Sequence, residues 1–175
     1  RAIETGIGGT GGDDYKKDLY EAYGPTGSAL IIETLSNNVN RTVAEIKHTL
    51  TKYNGKLAEH NSALRLFEKV GLITITKDVM DSKGKDDIEL ALIDLGANDI
   101  EQHDEGITAV FSFETFNQAA DTLTKQEIPA ETELVTRPFA PVALTEKDEQ
   151  TFTTLVEKLE ELEDIETVFT NVQNV

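Results

Sequence analysis

Asn37, Asn38, Asn40 and Arg41 form the stretch of this 175-residue chain best equipped for recognition chemistry. Amide side chains read base edges and sugar hydroxyls, and a guanidinium holds a phosphate with two donors. His48 and Lys52 follow at helical spacing and share one polar sector with Arg41 and Glu45, opposite Val43, Ile46, Leu50 and Tyr53. Tyr23, expected at the neighbouring hairpin tip, offers a ring that can stack on a base. Two plainer readings compete. A polar helix face is ordinarily just solvated, and Asn37 to Asn40 suit a turn that leads into a helix cap.

The elements that must position this stretch are a strand over 28–35, a polar loop, and a helix from Thr42 to about Tyr53. Thr42 and Glu45 have the spacing of a capping box, and Asn54-Gly55 stops the helix with Gly55 in the left-handed cap position. A strand over 15–23 pairs with 28–35 through Gly24-Pro25-Thr26-Gly27, whose Pro and Gly positions favour a type I turn. An extended piece over 63–69 is assigned to the same sheet.

From Leu72 the order becomes β-α-β-β-α-β. A strand over 72–77 precedes a helix over 86–95 ended by Gly96, then a hairpin of 100–103 with 107–113. A helix with a Thr115–Gln118 capping box and a strand over 131–137 complete the ferredoxin-like order. A long helix over 145–162 and a last strand over 165–171 remain. Since the ferredoxin-like unit already has its four strands, the last strand is assigned beside 28–35. The expected fold class is α+β, an α/β sandwich in two domains. A Gly-rich linker over 1–12 leads into a discontinuous β-β-α-β…α-β domain over 13–71 plus 139–175, which carries an inserted ferredoxin-like domain over 72–138.

The net charge of −17 is regional. Through Val70, nine Lys or Arg balance nine Asp or Glu; from Gly71 onward, seven oppose twenty-four. Such a surface repels phosphates, so nucleic-acid contact is confined to the N-terminal half or to a basic segment outside this sequence. The absence of Cys excludes disulfides and Cys-based zinc sites. No apolar run reaches the roughly eighteen residues of a membrane span. His48, His60 and His103 are too far apart for a local metal pair. Gly6, Gly8, Gly9, Gly11 and Gly12 lack the Gly-Lys-Ser or Gly-Lys-Thr of a phosphate loop, and no Ser sits in a Gly-x-Ser-x-Gly elbow. The acidic run Glu157, Glu160, Glu161, Glu163, Asp164 and Glu166 reads as a solvated face. No enzyme, cofactor, metal or membrane partner is expected.

Five segments together resemble the YebC/PmpR family. They are Arg1-Ala2-Ile3-Glu4 before the Gly-rich stretch; Tyr20-Glu21-Ala22-Tyr23-Gly24-Pro25-Thr26-Gly27; Glu33-Thr34-Leu35-Ser36-Asn37-Asn38-Val39-Asn40-Arg41-Thr42; Leu66-Phe67-Glu68-Lys69; and Leu159-Glu160-Glu161-Leu162-Glu163-Asp164-Ile165 with Val168-Phe169-Thr170-Asn171. The resemblance implies a basic helical first domain followed by two α/β domains, the third inserted into the second. It also implies that the missing initial Met reflects loss of the first domain, which carries most of the nucleic-acid affinity. The implied role is in gene expression. A translational activator acting through ribosome or RNA association is the first expectation, because the Asn-Asn-Val loop looks like the translation-linked subgroup. A DNA-binding transcriptional regulator is the alternative, and an acidic protein-interaction module is the second alternative. The compartment implied is the cytoplasm of a bacterium, or alternatively the mitochondrial matrix. Two departures from the family pattern bear on close backbone contacts: Thr26 stands where a second Gly is usual, and His60-Asn61 precedes Ser62 where Gly is common.

Overall fold

A computed structural model describes residues 14–173. The stretch expected as a linker, 1–12, and with it the Arg1-Ala2-Ile3-Glu4 match, lies outside the described residues. The elements are β1 (Lys16–Tyr23), β2 (Ala29–Ser36), α1 (Val39–Lys52), β3 (Lys56–Leu57), β4 (Phe67–Thr76), α2 (Lys77–Lys83), α3 (Lys85–Asp94), β5 (Asp99–His103), β6 (Gly106–Ser112), α4 (Phe113–Lys125), β7 (Glu131–Pro138), α5 (Glu146–Glu160) and β8 (Ile165–Thr170). They build two four-stranded sheets, ordered β3-β1-β2-β8 and β5-β6-β4-β7. The α+β class is as expected. The last strand, β8, pairs antiparallel with β2 from Leu30↔Thr170 to Glu33↔Thr167. Two compact units result, one running up to Glu68 and resuming at Arg137, the other Lys69–Thr136.

In the discontinuous unit, β2 is apolar on both faces because both are covered. Leu30 and Ile32 pack with Ile46 and Leu50 of α1 and with Phe152, Leu155 and Leu159 of α5. Ala29 and Ile31, pointing the other way along the pleat, pack with Ala63 and Phe67. Each large side chain buried there contributes about 1.5–3 kcal/mol.

Several local expectations for this unit are corrected. Residues 63–69 do not join its sheet: Leu64–Leu66 is a 3₁₀ turn, β4 starts at Phe67 in the other sheet, and the third strand here is the short β3. The hairpin turn is not type I, because the second of its central residues, Thr26, is left-handed (φ 60°) and is followed by Gly27 at φ 77°, whereas type I keeps both central residues at negative φ. Thr26 is β-branched, so that backbone costs on the order of 1–2 kcal/mol. α1 begins three residues before Thr42, with Asn38 as its N-cap: the Asn38 Oδ1 accepts the Arg41 N–H at 3.1 Å. After α1, the left-handed residue is Asn54 (φ 61°) rather than Gly55.

The contiguous unit has ferredoxin-like strand order, and Ile73, Ile75, Ile107 and Phe111 of its sheet pack with Ile88, Leu92, Phe116 and Leu123 of the helices. Gly71 permits α4 to lie close, since a Cβ there would collide with the Phe116 ring. Three helices are present rather than two; α2 offers only Val79 and Met80 to the core, too few to show a period. α4 starts at Phe113 and is capped by Ser112, whose Oγ accepts the Thr115 N–H at 3.3 Å, so Thr115 is not the cap. Among the described residues no helix is long and apolar enough to cross a membrane.

Candidate functional site

The β2–α1 loop leaves Asn37, Asn38, Asn40 and Arg41 exposed, and a buried carboxylate fixes its shape. Asp164 sits in the short turn between α5 and β8, 4% exposed. Its two carboxylate oxygens accept the Arg41 Nη2 at 2.9 and 3.0 Å. Oδ2 also accepts the Thr42 hydroxyl at 2.6 Å and the Ser36 hydroxyl at 3.0 Å. Ser36 Oγ in turn accepts the Asn38 N–H at 2.9 Å, and the Leu35 N–H donates to the Asp164 carbonyl at 2.9 Å. Thr42, the expected cap, is therefore an interior helix residue whose hydroxyl is taken by an acid 122 positions away.

Burial alone would push the Asp164 carboxyl up. The hydrogen bonds from Thr42, Arg41 and Ser36, with the Arg41 charge, outweigh it and hold the group below the usual carboxylate range. The same hydrogen bond, and then the Asp164 charge, raise Arg41 further above its ordinary value. Arg41 is thus engaged within the fold.

Beside this network lies a half-open cleft of about 320 Å³, lined by Tyr15, Leu35, Asn37, Arg41, Glu163, Asp164 and Glu166. Its lining holds one cation against three carboxylates. Lys17 stands at the margin, its Nζ 3.7 Å from Glu166.

The structure does not bring all the expected contact residues together. Lys16 pairs with Ser36 and Tyr23 with Ala29, so Tyr23 lies at the far end of β1, about 23 Å from the Asn37 loop. Its ring packs against the Ala29, Ile31, Ala63 and Phe67 cluster, on the side of the sheet away from α1. The expected neighbourhood of Tyr23 and Asn37 is therefore corrected: the tyrosine at the loop is Tyr15. His48 and Lys52 are exposed on α1, but Lys52 is about 16 Å along the axis from Arg41, with its Nζ 5.5 Å over the Tyr53 ring. Sequence reasoning missed Tyr15, Ser36 and Asp164. The only signal for Asp164 was its position at the break between helix and strand, where an acid is not merely lining a helix face.

A second buried acid serves the opposite side of the sheet. Glu21, 5% exposed, accepts the N–H groups of Asn61 (2.6 Å), Ala63 (3.0 Å) and Leu64 (2.6 Å). Asn61 takes a left-handed backbone there, φ 62°. Among the described residues, no group of three or more His, Asp or Glu is arranged to hold a metal ion.

Comparison with known proteins places this architecture. The chain is 34% identical over 174 residues to a probable transcriptional regulatory protein of Thermoanaerobacter pseudethanolicus, covering 99% of this chain and 70% of that one. It is 35% identical over 175 residues to a probable transcriptional regulatory protein of Acinetobacter baumannii, covering 99% and 69%. Among solved structures, a conserved hypothetical protein of Aquifex aeolicus superposes with a TM-score of 0.70 at 26% identity, over 94% of this chain and 68% of the other. Residues 15–172 match the family model described as the TACO1/YebC second and third domain, and the chain belongs to that family.

Proposed function

We propose that this chain serves gene expression by acting on translation, through contact with RNA or the ribosome at the cleft beside the start of α1, and that it does no catalysis. The observation that carries this reading is the chemistry of the cleft. About 320 Å³ lined by Tyr15, Asn37 and Arg41 suits one unstacked base. The carboxylates of Glu163 and Glu166 accept hydrogen bonds from base N–H groups and ribose 2′-hydroxyls, yet repel phosphate. Single-stranded RNA offers those donors on splayed bases; a DNA duplex presents phosphate first.

A second reading, a DNA-binding transcriptional regulator, is favoured by the names of the relatives. Its contact face would be the exposed side of α1 with Lys47, His48 and Lys52. It is the weaker reading because a recognition helix presents its N-terminal residues to base edges, and here the Arg41 guanidinium is already paired with Asp164.

The two separate in an NMR titration of the labelled chain with a short single-stranded RNA and with a DNA duplex of equal length. Saturable shifts at Tyr15, Asn37, Asn40 and Arg41 with RNA are expected, with affinity on the order of 10⁻⁴ M at physiological salt. Stronger response to the duplex, centred on Lys47, His48 and Lys52, would install the regulator reading. Co-sedimentation of the chain with ribosomes, reduced by Asn40→Ala, is the companion measurement.

A further inference from the structure

The helix α3 carries apolar side chains on both its sides, and its two outward ones lie one helical turn apart in mid-helix, whereas the exposed Val39 of α1 and Phe113 of α4 are single residues at helix starts. Ile88 and Leu92 are buried in the core of the contiguous unit, while Leu90 (58% exposed) and Ile93 (52% exposed) point outward. On α4, by contrast, the mid-helix outward positions Asn117, Gln118, Asp121 and Thr124 are all polar. Leu90 and Ile93 thus form an exposed apolar pair on the outer side of α3, the kind of surface that a partner can cover.

We propose that the outer face of α3 docks a cationic amphipathic segment of another protein. Asp86, Leu90 and Ile93 fall within about 60° of arc on the helix, with Asp87 and Asp94 flanking on one side and Glu89 on the other. The one cation of α3, Lys85, is turned to Gln102, its Nζ 2.8 Å from the amide oxygen. Two apolar anchors framed by carboxylates on both flanks are the complement of a helix with an apolar stripe bordered by Lys or Arg.

Charge argues against a second copy, nucleic acid and an anionic membrane. The contiguous unit carries five Lys against fifteen Asp or Glu, a net −10. A second copy would set −10 against −10, and nucleic acid or an anionic membrane would be repelled in the same way. Residues 1–13 of this chain hold one Arg against Glu4 and Asp13, so they are not cationic either. The proposal is independent of the choice between RNA and DNA made above, because it uses a different unit and a protein partner.

The probe is a synthetic helical peptide with Leu at i, i+3 and i+7 bordered by Lys, compared by fluorescence anisotropy with a peptide of identical composition whose order destroys the stripe. The ordered peptide is expected to bind the whole chain about tenfold more tightly than the scrambled one. Leu90→Ser with Ile93→Ser is expected to erase that preference, and Asp86→Asn with Asp94→Asn to weaken both peptides and flatten the salt dependence. Equal binding of the two peptides to the wild-type chain would reduce the effect to bulk charge and overturn the proposal. So would a preference that survives Leu90→Ser with Ile93→Ser. Self-association in sedimentation equilibrium that the same double substitution abolishes would overturn it in favour of a second copy. Should the double substitution unfold the unit, the single substitution Leu90→Ser carries the same test: a lowered preference for the ordered peptide supports the proposal, and an unchanged preference overturns it.

Discussion

Among the described residues, the two buried carboxylates of the discontinuous unit, Glu21 and Asp164, are held in opposite ways. Glu21 is held by three backbone N–H groups of one short segment, 61–64. Asp164 is held by three side chains, Ser36, Arg41 and Thr42, brought to it across 122 to 128 residues. Backbone donors are fixed in place and have no second choice once their acceptor is gone. Hydroxyls rotate, and Thr42 has a fallback in the Asn38 carbonyl at 3.0 Å. The first arrangement shapes a loop whose donors no substitution within 61–64 other than proline can remove, with the His60 ring 3.6 Å from the same carboxylate. The second ties the start of α1 to the head of β8 by contacts that single substitutions can remove, and it is the one that lies beside the cleft.

The largest expected effect tests the backbone half of this contrast. Glu21→Ala leaves the buried Ala63 N–H and the part-buried N–H groups of Asn61 and Leu64 without their acceptor and is expected to cost about 3 kcal/mol in urea unfolding, while Glu21→Gln, which keeps an acceptor oxygen, costs clearly less. If Glu21→Ala proved milder than Asp164→Ala, the contrast between fixed and rotatable donors would fail.

Asp164→Ala is expected to cost about 2 kcal/mol, less because the hydroxyls re-pair. Its acid dependence sharpens the point. Since the folded-state pKa of Asp164 is depressed, its stabilisation is fully present above the unfolded value near 3.9 and is lost as the pH falls through the folded value. The stability gap between wild type and Asp164→Asn should therefore be constant from about pH 5 upward and narrow from about pH 4 downward. A gap unchanged down to pH 2 would show that the charge is not what matters.

The smallest effect concerns what the Glu21 cradle sustains. Asn61 tolerates its left-handed backbone as Ala does not, so Asn61→Ala should cost about 1 kcal/mol and Asn61→Gly should cost nothing measurable. Equal stability of the two variants would mean that the loop relaxes, and that Glu21 does not dictate its conformation.

The sequence made the elements legible wherever apolar period was strong, as in β2, α1, β6 and α5, and strand counting alone assigned β8 to β2. It misled where polar residues carry meaning. Thr42–Glu45 and Thr115–Gln118 both have the capping-box spacing, yet the caps are Asn38 and Ser112. Thr145, in the same kind of position, does cap α5. A capping pattern is local, and it cannot register that Thr42 donates to an acid from the other end of the chain. The same limit explains why the sequence points to Tyr23 rather than Tyr15 beside the Asn37 loop: the choice depends on which end of β1 meets Ser36, a matter of register. The departures at Thr26 and Asn61 proved to be the sites of left-handed backbone, a property that glycine would accept without strain.

The pairing of β2 with β8 also sets an order of events. Ala29 and Asn171, joined by a 2.7 Å hydrogen bond, are 142 residues apart, whereas the ferredoxin-like unit is contiguous in sequence. As the chain emerges from synthesis, the inserted unit can complete its sheet while the outer one still lacks its last strand. When β7 docks against β4, it draws residues on either side of the insertion together, and the remaining search for β2 becomes that of a far shorter effective loop. The insertion thus acts as a folding clamp, and damage to its core should delay closure of the outer sheet even where no contact of that sheet has changed.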